Sequence, residues 1–178
     1  MAATVNNTTW TTPRTWTTGE LVTASIMNTH VRDNLNALHT PGGGYNKINL
    51  GADITTASTS FTDVDTEFSM TFTTGGGDVI VCCMGNITNS GAGTRNYLDI
   101  HESVAGARYG GDDGLLLVHS AGSTVANPFT LMVRIPSLSA ASHTFKMQWK
   151  VSGGTATLYA GAGTANFDLH PTMFAFEI

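Results

Sequence analysis

Thr144-Phe145-Lys146-Met147-Gln148-Trp149-Lys150-Val151 is the cleanest two-residue alternation in the chain. Phe145, Met147 and Trp149 fall on one side; Lys146, Gln148 and Lys150 fall on the other. Side chains of an extended chain point alternately to opposite faces, so this stretch reads as a strand with one face in a core and one in water. Working outward, the same kind of segment recurs. Phe61 to Phe72 alternates, and Val79 to Ile87 is apolar on both faces, as a central strand covered twice would be. Arg95–Val104, Leu115–His119, Asn127–Pro136 and Phe167–Ile178 follow.

Glycine-rich turns punctuate these segments: Thr74-Gly75-Gly76-Gly77-Asp78, Asn89-Ser90-Gly91-Ala92-Gly93 and Ser152-Gly153-Gly154. The last turn leads into Thr155–Tyr159 and reads as a hairpin with Thr144–Val151. The total is about eight to ten short strands with turns at sandwich spacing. No helix-period segment interrupts them, which excludes a parallel α/β sheet. The predicted fold is mainly β, an antiparallel jelly-roll sandwich preceded by an extended arm and one short N-terminal helix.

The parts divide at 1–20 (arm), 21–40 (amphipathic helix), 41–50 (Gly-rich hinge) and 51–178 (β domain). The arm is rich in Thr and carries Trp10 and Trp16. It has too little apolar surface to fold alone. Either its tryptophans fold back on their own domain, or Trp10, Trp16, Leu21 and Val22 dock on a partner. In the helix, Thr23 is a suitable N-cap. Ala24, Met27, Val31, Leu35 and Leu38 line one face. That stripe must pack on something: the β domain, a bundle about a symmetry axis, or a larger assembly. Pro41-Gly42-Gly43-Gly44 stops the helix.

Charged residues are only 12% of the chain and the net charge is −5. The surface is therefore hydroxyl-rich and neutral, suited to extended contact with other chains. The eight Lys and Arg are scattered, so neither nucleic acid nor an anionic membrane surface is an expected partner. Met1 to Thr12 has no secretory pattern, and no apolar run nears the roughly 18 residues that span a bilayer. Cytoplasmic synthesis is the expectation.

No catalytic, metal or cofactor site is expected. Cys82 and Cys83 are adjacent, hence on opposite faces of a strand, and read as free buried thiols. The six histidines form no His-x-x-x-His or His-Glu-x-x-His pattern. His30 and His39 fall off the helix stripe, and His119, His143 and His170 lie at strand ends or in the last strand. His101-Glu102 and Asp112-Asp113 could converge on a metal, but solvated edge residues are the simpler reading. Asp63-x-Asp65 with Glu67 has calcium-type oxygens and lacks the loop glycine. Gly-x-Ser-x-Gly is absent.

Two stretches carry a family resemblance. Trp16-Thr17-Thr18-Gly19-Glu20 and Ala24-Ser25-Ile26-Met27-Asn28, continuing to Arg32-Asp33-Asn34, resemble a segment near the start of many phage and prophage structural proteins. Ser142–Lys150 with its Gly-rich turn is similar to late strands of phage proteins bearing a jelly roll of the tumour-necrosis-factor and C1q kind. The resemblance implies a virion component (capsid decoration, tail or fibre) that forms a homotrimer with its last strands near the threefold axis. Other virion proteins would be its partners and the virion its location. A different class of function is a receptor-binding module that stacks host glycans on Tyr45, Tyr97, Tyr109 or Tyr159, Tyr97 and Tyr109 being the preferred pair.

Overall fold

The computed structural model describes residues 11–12, 14–35, 42–122 and 125–178. Trp10, Leu38 and His39 lie outside the described residues. In chain order, the elements are the helix α1 (Ala24–Met27) with a π-helical turn at Asn28–Arg32, then the strands β1 (Gly43–Lys47), β2 (Ile54–Thr56) and β3 (Thr62–Asp63). A 3₁₀ turn (Thr66–Phe68) precedes β4 (Ser69–Thr73), β5 (Val79–Asn89), β6 (Arg95–Glu102) and β7 (Ala107–Arg108). The remainder are β8 (Leu116–His119), β9 (Asn127–Ile135), β10 (Ser142–Val151), β11 (Ala156–Leu158) and β12 (Thr172–Glu177).

The strands form two antiparallel sheets, a jelly-roll-like sandwich. In the first, β5 pairs β9 along one edge, and β12 and then β11 along the other; β1 and β2 lie outside β12 and β11. In the second, β10 pairs β3 and β4 on one side and β6 on the other, with β7 and β8 beyond β6. The core lies between them. Phe145, Met147 and Trp149 of β10 and Leu98 and Ile100 of β6 meet Val81, Cys83, Leu131 and Met173 of the first sheet. Burying each large apolar side chain contributes roughly 1.5–3 kcal/mol.

Three expectations are corrected. Ser152-Gly153-Gly154 is not a hairpin: β10 belongs to one sheet and β11 to the other, so the turn carries the chain across the sandwich. Asn89 holds that crossing, its Nδ2 donating to the Gly153 carbonyl at 3.1 Å and to Asn96 Oδ1 at 2.9 Å. Phe61–Phe72 is broken in two, because Asp65 accepts from the Glu67 amide at 3.0 Å and caps the 3₁₀ turn. The Gly-rich stretch placed in a hinge is largely strand β1, which borders the first sheet. Glycine is needed there because a Cβ on Gly43 would stand 2.6 Å from the Ala175 carbonyl oxygen of β12.

Candidate functional site

The N-terminal segment is built from a few local bonds. Thr23 caps α1 by accepting from the Ile26 amide at 3.3 Å. Asn34 binds Thr11 at both ends of its amide, receiving the Thr11 N–H on Oδ1 and donating Nδ2 to the Thr11 carbonyl, each at 2.8 Å. This lays Thr11 beside the helix. Glu20 pairs with Arg14, whose guanidinium sits 5.7 Å from the Trp16 ring centroid.

The apolar side chains of this segment are left in the open. Trp16, Leu21, Val22, Met27, Val31 and Leu35 are all exposed, Leu21 at 80% and Leu35 at 60%. Ala24 is exposed too, and neither α1 nor the π turn buries a residue. The π spacing through Asn28–Arg32 widens the turn within the stripe. His30, off the helix stripe, is half-buried with Nδ1 unpaired.

The sandwich presents two unlike outer faces. On the first sheet the register sets Tyr45 opposite Phe174, Phe174 opposite Cys82, and Cys82 opposite Met132. These four share the face turned away from the core, since their chain neighbours Met173, Cys83 and Leu131 point inward. Tyr45 and Met132 at the two ends are 64% and 65% exposed. Ile80, Phe176 and Met84 flank this row. The sequence hid the feature because Tyr45 read as hinge, although Phe174 and Phe176 at alternate positions beside Met173 and Ala175 were its signal.

The second sheet's outer face carries an internally matched polar network beside the exposed Leu117. Asp63 accepts from Lys146 and Gln148, each at 2.7 Å. Those bonds hold its carboxyl below the usual range despite an opposing desolvation effect. Arg108 pairs with buried Asp99 at 3.3 Å and lies 4.2 Å from the Phe61 centroid. Lys150 sits 4.9 Å from the Tyr97 centroid, and Tyr97 is only 7% exposed. Tyr109 is half-buried against the core.

Candidate chemistry disperses. His101 and Glu102 are neighbours on β6 and face opposite ways, Glu102 inward, so they do not converge. Asp63, Asp65 and Glu67 engage Lys146, the Glu67 amide and Asn46 respectively, and make no common oxygen cage. Among the described residues no group of three or more His, Cys, Asp or Glu could hold a metal ion, and no helix is long and apolar enough to cross a membrane. Cys82 and Cys83 are free, and burial pushes both thiols up.

One array has the outline of a hydrolytic triad. Ser139 Oγ lies 3.5 Å from His143 Nε2, and His143 Nδ1 lies 3.3 Å from Glu102 Oε1. Nε2 is closer, at 3.0 Å, to the Ser139 carbonyl, which only accepts. Donating there leaves Nε2 no lone pair to take the hydroxyl proton, so the array is a structural clasp between the 136–141 loop and β6.

No family model matches the chain, and no curated protein matches it. Among solved structures, it is similar to Eiger TNF from S. frugiperda at 12% identity and a TM-score of 0.42, over 78% of this chain and 93% of that one. A chain of infectious bursal disease virus, Gt strain, shares 14% identity at a TM-score of 0.38, over 75% of this chain and 37% of its own length. Dimeric latent PorU from Porphyromonas gingivalis shares 11% identity at a TM-score of 0.35, over 74% of this chain and 13% of that one. The likeness in each case is one of general outline, and the strand pairing above is what defines the architecture.

Proposed function

We propose that this chain is a non-enzymatic structural protein of a virus particle, a bacteriophage virion, that forms a homotrimer through its β domain and attaches to other virion proteins by its arm and helix. The observation that carries the reading is the open N-terminal stripe. Trp16, Leu21, Val22, Met27, Val31 and Leu35 stay exposed while the β domain completes its own core without them. Leaving such side chains in water is costly, and a partner that covers them recovers the hydrophobic free energy. Low charge favours the same role, because few ions need desolvating at a contact.

Deleting residues 1–39 tests it. The remaining chain should fold with the β-sheet spectrum of the parent and fail to bind particles; a truncated protein that still decorates particles would sink the attachment reading. The second reading, a host-glycan module, draws on the exposed Tyr45 ring, since Tyr97 is buried and Tyr109 is half-buried against the core. A glycan-array signal lost in Tyr45→Ala would favour it, and silence across glycans and intact host cells would count against it.

A further inference from the structure

We propose that the buried His143 ring is held as an imidazolium between two acceptors, and that its second proton makes a pH-sensitive clasp joining three loops of the sandwich.

His143 is 3% exposed, so its neighbours decide its charge. Nε2 stands 3.0 Å from the Ser139 carbonyl oxygen, which can only accept. The same oxygen accepts from the Thr74 hydroxyl at 2.6 Å, which fixes its place. Nδ1 stands 3.3 Å from Glu102 Oε1. That oxygen takes the Val104 amide at 2.8 Å, and Oε2 takes the Ala105 amide at 2.6 Å. Amide donors on both oxygens favour the ionised carboxyl, so Glu102 is an acceptor too.

A neutral imidazole carries one N–H and one lone pair. With the proton on Nε2, the bare Nδ1 faces the Glu102 carboxylate. With the proton on Nδ1, the bare Nε2 faces the Ser139 carbonyl, and the Ser139 hydroxyl, at 3.5 Å, is too distant to offset that. Each neutral form sets acceptor against acceptor in a buried site, where the mismatch is most costly. The imidazolium donates at both ends, and the carboxylate beside it balances its charge. No second ion pair to either residue occurs among the described residues. Tyr109, next to Glu102, stays a neutral phenol, its ionisation opposed by burial and by the Glu102 charge. β4 sets Phe72 opposite His143, and Phe145 lies 6.3 Å from its ring centroid. Asp78 and Glu177 engage the Ser137 and Gly75 amides instead.

Three segments meet at this ring. Thr74 opens the 74–78 turn, Ser139 lies in the 136–141 loop, and Glu102 gathers the 103–105 turn through its two amides. The first two are tied further by the Leu138 N–H on the Gly77 carbonyl at 2.8 Å and the Thr74 N–H on the Ala141 carbonyl at 2.9 Å. Loss of the second proton removes one of the ring's two bonds and leaves the Glu102 charge without its counter-ion. The stability of the pair is present while both charges exist, and is lost as pH rises and the proton leaves.

Nitrogen-15 spectra of the full chain test this. At about pH 7.5, where a free imidazole is mostly neutral, both ring nitrogens of His143 should show the shift of a protonated nitrogen. Glu102→Gln removes the balancing charge, and in that variant one ring nitrogen should be bare at the same pH. As the parent ring loses its proton at higher pH, exchange protection at the Leu138 and Thr74 amides should fall about tenfold, with Val81 of β5 unchanged. A bare nitrogen in the parent at about pH 7.5 would overturn the charged ring. A ring that loses its proton while Leu138 and Thr74 stay equally protected would overturn the clasp.

Discussion

Glu102 and His143 face one another inside the sandwich, Oε1 of one 3.3 Å from Nδ1 of the other, joining β6 to β10 where neither side chain meets water. Burial alone would raise the Glu102 carboxyl; the amides of Ala105 and Val104, with His143, outweigh it and hold the group below the ordinary carboxylate range. A carboxyl depressed on folding contributes stability above its unfolded value of about 4.3, and that contribution is lost as pH falls through the folded value. Urea midpoints measured from about pH 6 down to pH 3 should fall more steeply for the parent than for Glu102→Gln. Parallel slopes would show that the carboxylate is not held as described.

Trp149 pairs with Leu98 on β6 and Thr62 on β3 and has its ring in the core. Trp149→Ala should destabilise the domain by about 3–5 kcal/mol, because the cavity forms where both sheets meet. Met132→Ala, on the outer face, should change monomer stability by less than about 0.5 kcal/mol. Denaturant unfolding of the two compares core and surface within one protein.

Asn89 has no exposed surface and bonds Asn96, Gly153 and the Gly91 amide. Asn89→Ala strands these groups without partners, at about 2 kcal/mol or more. The turn from β10 to β11 should open with it, read as faster amide exchange at Gly91, which loses its acceptor.

Gly43→Val tests β1. The added side chain would collide with the β12 backbone at Ala175 and Phe176. We expect β1 to detach, with new protease cleavage between Gly42 and Lys47, while β5 and β10 keep their protection. An unchanged digestion pattern would mean that the backbone gives way locally.

The sandwich was readable because its central strands obey the period of two. Phe145, Met147 and Trp149 point into the core as their spacing requires. Thr23 is the cap that its position ahead of Ala24 suggested. What escaped the sequence depended on distant partners. Gly43 and Gly44 look like a linker until β12 is beside them, and Ser152–Gly154 looks like a hairpin until Asn89 draws it to the other sheet. The Tyr45–Met132 row joins residues from four strands, so no local window contains it. The Ser139–His143–Glu102 array was invisible for the same reason, and its carbonyl contact, which closes it to catalysis, is a matter of tertiary geometry.

The position of β12 also orders events during synthesis. It fills the slot between β1 and β5, pairing Gly43 with Phe176 and Phe176 with Ile80. Until Thr172–Glu177 has left the ribosome, β1 has no strand to pair with and β5 lacks one flank along Val79–Met84. Such long-range closure is slow to nucleate. The nascent polypeptide must therefore wait, with its first strand idle, for its twelfth. A face composed of Tyr45, Phe174, Cys82 and Met132 does not exist before that moment, because Phe174 arrives with β12.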